Sequence, residues 1–234
     1  ENIGIGGIHI SAQDANIPGL YTFGGGQNCV GDCFDWFIKN CVPEAYQNEA
    51  KNNGITIHEL LGEKAAGLPR AGSGLLILDW WNGLRTPVFD FNLSGVIVGL
   101  RLDTRPEELY LALIEATAMN IRRTVSLFRE AGHRVQRIFA SGGIPRKNPL
   151  LMQVYADVLG CDIWVSESNQ PGALGSAVLG AAAAFKTAPD EFSTVMNRMI
   201  KQPRIKYSPD KYNMGKYDVL YQKYRALSEM ILKE

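Results

Sequence analysis

A glycine pair, Gly142 and Gly143, follows an apolar run of strand length at residues 135–139 and precedes a helix signal. Because glycine lacks a Cβ, another molecule can approach the backbone closely at such a turn. Asn148 is a favoured N-cap and Pro149 suits the first helical position, so a helix is predicted to begin there. A helix N-terminus attracts phosphate. The pattern therefore predicts a nucleotide pocket, although a tight strand-to-helix turn needs glycine with or without a ligand.

Two further glycine-rich segments lie near the start of the chain. Residues 3–10 place Gly4, Gly6 and Gly7 among isoleucines, which predicts a strand or hairpin with a tight turn. The spacing lacks the third glycine of a dinucleotide-binding fingerprint, so a Rossmann motif is rejected. A triple glycine at residues 24–26 then opens an amphipathic helix, where it either admits a phosphate or serves as a flexible entry.

Charge and composition argue against several classes of function. In the 234 residues, 24 Lys and Arg balance 24 Asp and Glu, so no overall field attracts nucleic acid or an anionic membrane. The longest run of small apolar residues, 173–185, is shorter than the roughly 20 residues that a membrane span needs. We therefore expect a globular protein that binds neither nucleic acid nor membrane.

The cysteines indicate a reducing compartment and no metal centre. They are too few and too unevenly placed for a disulfide framework, which favours the cytoplasm, and no secretory signal is expected. Cys29 and Cys33 share a helix face, but without a second pair a zinc site is not expected, and both are predicted to be buried free thiols. The four cysteines are Cys29, Cys33, Cys41 and Cys161.

The elements that must position the glycine pair alternate between strands and helices. A strand at 96–100 leads to a capping box at Thr104 and Glu107, which opens a long helix ending at Gly132. With the strand before the glycine pair these form one βαβ unit, and the next helix and a strand at 162–165 form a second. Two consecutive crossovers predict an α/β fold with a mixed, partly parallel sheet flanked by helices.

Other segments are predicted to complete the fold. Residues 44–68 are expected to form polar helices broken at 52–54, and residues 75–78 a buried strand. From residue 189 onward the chain is polar and helical, and it ends in a helix at 217–233 that is expected to dock on the domain. A helix at residues 172–184 has a face of small residues that would permit very close packing. These residues are Ala173, Ser176, Ala177 and Gly180.

Five stretches of the chain resemble the FGGY carbohydrate kinases, and within that family the L-ribulokinases. Motifs in this order and at this spacing are far more specific than a single glycine pair. Together they extend over nearly the whole chain. They lie at residues 26–37, 78–87, 141–157, 173–180 and 217–224.

The resemblance implies an actin-like ATPase fold, related to ribonuclease H, in an enzyme of two domains. Residues 1–234 would be the C-terminal nucleotide-binding domain, and the N-terminal sugar-binding domain would lie upstream. The glycine pair would lie against adenosine, with a lysine and an asparagine of the same loop nearby and two residues of the first predicted helix on the adenine side. These positions are Gly142, Gly143, Lys147, Asn148, Gly31 and Asp35.

Two positions depart from the family pattern. The family's phosphate hairpin usually reads Gly-Thr-Ser-Thr, whereas the loop from Gly4 through Ile5 and Gly6 to Gly7 has no hydroxyl. Bare backbone N–H groups can still cradle a phosphate, so these glycines stay candidates for that role. The usual Glu before Ala-Gly-Gln is absent, and Gly24 stands in its place.

The resemblance implies transfer of the γ-phosphoryl of ATP, with Mg²⁺, to a ketopentose. The first choice of substrate is L-ribulose, which would give L-ribulose 5-phosphate. The aspartate that accepts the hydroxyl proton lies upstream in this family, so no catalytic residue is expected in this chain and the fragment alone would be inactive. Three alternatives stay open: another FGGY kinase acting on xylulose, glycerol or a polyol, a non-catalytic actin-like nucleotide-binding module, or a doubly wound domain for another ligand. A homo-oligomer is compatible with each.

Overall fold

The computed structural model of the chain describes residues 4–185, 188 and 191–233. Ile3 of the predicted first strand, and residues 189–190 at the start of the predicted polar segment, lie outside the described residues. The strands are β1 (Ile10–Gln13), β2 (Tyr21–Gly24), β3 (Leu76–Leu78), β4 (Val96–Val98), β5 (Arg137–Ala140), β6 (Asp162–Val165) and β7 (Ile205–Tyr207). The helices are α1 (Gly31–Cys41), α2 (Glu44–Asn52), α3 (Ile57–Ala66), α4 (Pro106–Glu130), α5 (Gly143–Lys147), α6 (Pro149–Leu159), α7 (Pro171–Ala184), α8 (Phe192–Met199) and α9 (Lys211–Ile231).

The strands pair in small sheets that confirm an α/β fold with mixed pairing. β1 and β2 form an antiparallel hairpin, in which Ile10 lies opposite Gly24. The predicted strand around the first glycines therefore begins only at Ile10, after a turn at Gly6 and Gly7. In a second sheet β5 is parallel to β6 while β6 is antiparallel to β7.

The first predicted βαβ unit is wrong, whereas the second is confirmed. In the described residues β4 pairs antiparallel with β3, with Leu76 opposite Val98, and it lies in a different sheet from β5. The crossover through α6 does join parallel strands, with Arg137 opposite Asp162. An apolar run shows in a sequence as a strand, but its partner depends on how distant segments pack.

The capping box of the long helix α4 lies one residue later in the chain than predicted, at Arg105 and Glu108. The box uses Glu108, whose carboxylate accepts the N–H of Arg105 at 2.8 Å. The Thr104 hydroxyl instead accepts the N–H of Arg101 at 2.9 Å, so it closes the preceding turn and is not free to cap the helix. At the other end the chain leaves the helix at Gly132, whose φ of +85° favours glycine, as predicted.

The core is built around α4, which packs against α1, α3, α6 and β3. Its middle turns are buried on all sides, and Leu111, Ile114 and Ala118 are fully buried. The predicted docking of the last helix is confirmed, because Tyr217 of α9 is fully buried in the same cluster. The carboxylate of Asp157 accepts the backbone N–H of Asp210, the residue before α9, at 2.8 Å and so holds the start of that helix.

The small face of α7 has no packing partner among the described residues, so the close packing that it would permit is not used there. The four small residues are exposed, and an added Cβ at Gly180 would meet no atom within 4 Å. The helix instead buries Val178 and Ala182, one turn apart, against Phe192 of α8. Burial of Val178 and Phe192 removes more apolar surface from water than burial of the small face could. The small residues are Ala173, Ser176, Ala177 and Gly180.

The prediction of buried free thiols near the first helix is confirmed. Cys29 and Cys33 are buried, unoxidised and in contact, with 3.0 Å between their sulfur atoms. Burial raises the pKa of both thiols, so neither is a ready nucleophile. Among the described residues, no group of three or more His, Cys, Asp and Glu side chains could hold a metal ion. No helix in the described ranges is long and apolar enough to span a membrane.

Glu115 is a carboxyl group buried inside α4. Its Oε1 accepts the backbone N–H of Ala71 at 2.8 Å and the hydroxyl of Tyr217 at 3.1 Å. Burial raises the pKa of Glu115 to about 7, although both hydrogen bonds and the charge of Arg70 lower it. The folded state therefore holds a proton on this group that the unfolded chain releases at lower pH.

The raised pKa of Glu115 predicts a pH-dependent stability. The stability that the protonated Glu115 contributes is fully present below the ordinary glutamate pKa and is lost as the pH rises through about 7. As the pH rises from about 5 to about 7, the Glu115→Gln variant should lose about 2 kcal/mol less unfolding free energy than the unchanged chain. Chemical denaturation at both pH values measures this. Glu130→Gln, at the exposed end of the same helix, is the control, and an equal pH slope in the two variants would contradict the prediction.

Candidate functional site

The glycine pair forms an open turn at the end of β5. Gly142 has φ +105° and ψ −170°, a backbone conformation that residues with a side chain rarely adopt. Gly143 then begins α5, a helix of 5 residues that the sequence patterning did not predict. A Cβ added at either glycine would meet no atom within 4 Å. The backbone of this turn is therefore accessible, as a ligand that lies against it requires.

The start of α1 faces α5. A Cβ added at Gly31 would lie 3.6 Å from the Cδ1 atom of Ile144, so tertiary packing brings these two segments together. Val30, the residue before α1, offers no side-chain cap, and no described side chain caps the first N–H groups of the helix. Ile144 is 38% exposed, which leaves an apolar surface between the two glycine positions. The arrangement suits a flat apolar group with an anionic substituent.

Asn148 has two structural partners. Its Oδ1 accepts the backbone N–H of Leu151 at 2.9 Å, which is the predicted N-cap of α6. Its Nδ2 donates to the hydroxyl of Tyr110 at 3.3 Å. Burial raises the pKa of Tyr110 to about 12, so this hydroxyl stays protonated. These bonds hold the end of α5 in place and account for Asn148 without a ligand.

Two predicted site residues carry charge on the surface beside α5. Asp35 of α1 is exposed and pairs with Lys39 one turn later at 2.6 Å. Lys147 lies at the exposed end of α5 and is close enough to Glu59 to help lower the pKa of that carboxyl, after hydrogen bonds from Thr56. Exposed pairs of this kind contribute little to stability. Lys147 is therefore free to turn towards an anion.

His58 of α3 is a neighbour of this site that the sequence reasoning missed. Its Nδ1 lies 3.4 Å from the Tyr110 hydroxyl, which also binds Asn148. Burial lowers the pKa of His58 while the charge of Asp35 in α1 raises it, and the ring packs against Tyr110 of α4. A single histidine at the start of a helix gives no signal in a sequence, because its neighbours come from other elements.

The glycine loop at residues 4–7 contacts a different part of the chain, at Pro87 and Leu127. A Cβ at Gly7 would lie 2.9 Å from the Cβ of Pro87 and 3.1 Å from Leu127, and Gly7 has φ +78°. Close packing and backbone conformation thus explain Gly7 directly. Gly4 and Gly6 are exposed, and added Cβ atoms there would meet nothing within 4 Å. Their backbone is open to a ligand.

Comparison with known proteins defines the class. The family model described as "FGGY family of carbohydrate kinases, C-terminal domain" matches residues 5–184, and the chain belongs to this family. Several curated relatives are named ribulokinase. Those of Bacillus licheniformis and Shouchella clausii are 45% and 40% identical to this chain over 217 and 220 residues. The matches cover 92% and 93% of the chain but only 39% of each relative, so the chain spans about two fifths of their length.

Solved structures agree on the fold. The xylulose kinase from Rhodospirillum rubrum superposes with a TM-score of 0.75 at 29% identity, over 92% of this chain and 41% of that one. The ligand-bound xylulose kinase from Lactobacillus acidophilus gives 0.76 at 22% identity, over 91% of this chain and 40% of that one, which supports the fold alone. These likenesses confirm the actin-like ATPase fold that the sequence motifs implied.

Proposed function

We propose that residues 1–234 form the nucleotide-binding domain of a two-domain kinase that transfers the γ-phosphoryl of ATP to L-ribulose, giving L-ribulose 5-phosphate. The choice of sugar rests on relatives named ribulokinase at 35–45% identity. The choice of domain rests on the match to a C-terminal family domain and on the 39% coverage of those relatives. The observation that carries the nucleotide site is the open turn at Gly142 and Gly143 facing Gly31.

The residues present fit an adenine nucleotide. Gly31, Gly142 and Gly143 leave backbone exposed where side chains would otherwise stand, and Ile144 offers an apolar surface between them. Lys147 is placed to approach an anionic group, and the first N–H groups of α1 favour the same charge. Bound ATP would supply the phosphoryl group. The chain's own part is to hold the nucleotide and to orient it.

Mg²⁺ would reach this site with the phosphates of ATP. Magnesium retains several waters and is commonly held by substrate phosphates and one or two carboxylates, so a dedicated cage of side chains is not required. Gly4 and Gly6 are proposed to lie near the phosphates, because their exposed backbone N–H groups can bind oxyanions. Asp35 and Asn148 are proposed as neighbours of the nucleoside, with Asn148 acting mainly through α6.

The sugar and the proton acceptor are assigned to the upstream N-terminal domain, which is the proposed partner of this one. Phosphoryl transfer to a hydroxyl group needs a carboxylate positioned to take its proton. That separation of roles predicts that this chain binds nucleotide but does not turn over. The enzyme would act in the cytoplasm, where ATP is available and its thiols stay reduced.

Xylulose is the second candidate substrate, because the Rhodospirillum rubrum xylulose kinase is similar in structure at 29% identity. A sugar panel on the full-length gene product separates the two. We expect the highest kcat/KM with L-ribulose, and a preference for xylulose would replace the proposed substrate.

Calorimetric titration of the chain with ATP and ADP, each with Mg²⁺, tests the nucleotide half. We expect both nucleotides to bind and the chain to transfer no phosphoryl group to L-ribulose. The full-length gene product should do so with ATP. If neither nucleotide binds the chain or the full-length protein, the kinase assignment fails.

A further inference from the structure

A cavity of about 470 Å³ lies beside the β1–β2 hairpin, next to the loop of residues 4–7, because Gly7 packs on Pro87 between the lining residues Thr86 and Phe89. Its volume is within the range of about 300–1,000 Å³ of small-molecule pockets. None of the candidate nucleotide residues lines it. The lining residues that carry the argument are His9, Gly24, Gly26, Arg85, Thr86 and Phe89.

The loop that carries Arg85 is held rigidly in place. Leu84 and Asp90 exchange two backbone hydrogen bonds, of 2.8 and 2.9 Å, which close the loop at its base. The hydroxyl of the buried Thr86 accepts the N–H of Gly26 at 3.0 Å and so fixes the loop to the segment between β2 and α1. Arg85 therefore projects from an ordered frame, which reduces the entropy lost when its side chain binds.

Gly26 makes room for the side chain of Arg85. A Cβ at Gly26 would lie 2.6 Å from the Cδ atom of Arg85 and 3.2 Å from its Nε. Phe89 supports the other side of the group, with its ring 5.9 Å from the guanidinium carbon. The ring of His9 meets the same phenylalanine edge-on, with 5.6 Å between the ring centroids. One aromatic side chain thus positions two nitrogen-bearing groups at the cavity.

The cavity has no negative charge to balance this arginine. No carboxylate is among the residues that line it, and within the described residues Arg85 forms no ion pair. Gly24 also lines the cavity, at the position where the family pattern has a glutamate. A side chain at this position would start 3.1 Å from Ile10, which is another lining residue. Glycine here therefore removes a carboxylate that would repel an anion.

We propose that this cavity binds the phosphate group of a small phosphorylated sugar. The planar guanidinium of arginine binds a phosphate through two parallel hydrogen bonds, and His9 and the nearby backbone can supply further donors. The remaining volume accommodates a short polyol. The identity of the sugar rests on the proposed function, which makes L-ribulose 5-phosphate the ligand, but the anion site itself does not depend on ATP binding.

The test is calorimetry with three probes: L-ribulose 5-phosphate, inorganic phosphate and L-ribulose. We expect L-ribulose 5-phosphate to bind the chain, and Arg85→Gln to weaken it about tenfold or more through the lost charged hydrogen bonds. The matched control is Arg101→Gln, an exposed arginine that does not line the cavity, and it should leave the affinity unchanged. The proposal is overturned if the phosphorylated sugar does not bind, or if the two arginine variants behave alike. Arg85-dependent binding of inorganic phosphate alone would also overturn it, in favour of a free-anion site.

A second pair of variants guards against misfolding as an explanation. Gly24→Glu and Gly24→Gln add side chains of nearly equal size, and only the first adds a charge. Gly24→Glu should weaken L-ribulose 5-phosphate several-fold more than Gly24→Gln, with equal thermal unfolding midpoints and equal ATP affinity in both. Equal loss in the two variants would contradict the electrostatic argument. Binding of the sugar phosphate without any ATP binding would reject the proposed function while supporting this site.

Discussion

Replacing Gly143 by valine is expected to lower the affinity of the chain for ATP and ADP at least about tenfold while leaving the fold intact. The added side chain would enter space in which no atom of the described chain lies within 4 Å of the Cβ position. It therefore displaces no packing partner, but it occupies the volume assigned to the nucleotide. Gly143 has no positive φ, and valine in a short exposed helix costs less than about 1 kcal/mol.

The choice of Gly143 over Gly142 makes this experiment clear. Gly142 has φ +105°, so a valine there would strain the backbone and confuse lost binding with lost stability. Gly215→Val in α9 is the matched control, because that glycine is exposed and an added Cβ meets nothing within 4 Å. Calorimetry gives the affinity and thermal unfolding the stability. Unchanged nucleotide affinity in Gly143→Val would place the nucleotide elsewhere.

Replacing Asp79 by alanine is expected to lower the unfolding free energy by about 2–4 kcal/mol. Asp79 follows β3 and is buried, and burial raises its pKa to about 6 although its hydrogen bonds lower it. Its carboxylate accepts hydrogen bonds from the side-chain amides of Gln27 and Asn120, the latter at 3.0 and 3.2 Å. Alanine would remove the carboxylate from both amides, which leaves Gln27 only the backbone carbonyl of Thr117 at 3.3 Å and Asn120 without this acceptor in the interior. Urea denaturation at about pH 7 measures the loss.

The same variant tests how the site is supported. Gln27 precedes α1 and Asn120 lies within α4, so Asp79 ties the segment before Gly31 to the central helix. Asp103→Ala, at an exposed position, is the control and should change stability by less than about 0.5 kcal/mol. Asp79→Asn, which keeps one acceptor oxygen, should lose less than Asp79→Ala. A loss in Asp79→Ala no greater than in the control would mean that this network does not stabilise the fold.

Features that depend on a few consecutive residues were predictable from the sequence. Asn148 and Pro149 start α6 as expected, and Gly132 ends α4, because capping and backbone conformation are local properties. The capping box of α4 was misplaced by one residue. Thr104 and Glu107 have the right spacing, but Thr104 is already used by the turn from Arg101.

The short helix α5 could not be predicted in the same way. Its 5 residues, from Gly143 to Lys147, are too few to show a helical period, and they include a proline. The small face of α7 is a related case, because the pattern of Ala173 and Gly180 permits close packing but does not specify a partner. Packing is decided by whichever apolar surface is available, here Phe192 of α8.

The motifs in the chain were enough to indicate the kinase family and the α/β class, since both are recognisable in short stretches of sequence. Which side chains meet could be learned only from the folded chain. Gly31 lies against Ile144, and Arg85 against Gly26, although each pair is far apart in sequence. Such contacts arise when helices and loops pack around a shared core, and no local pattern encodes them.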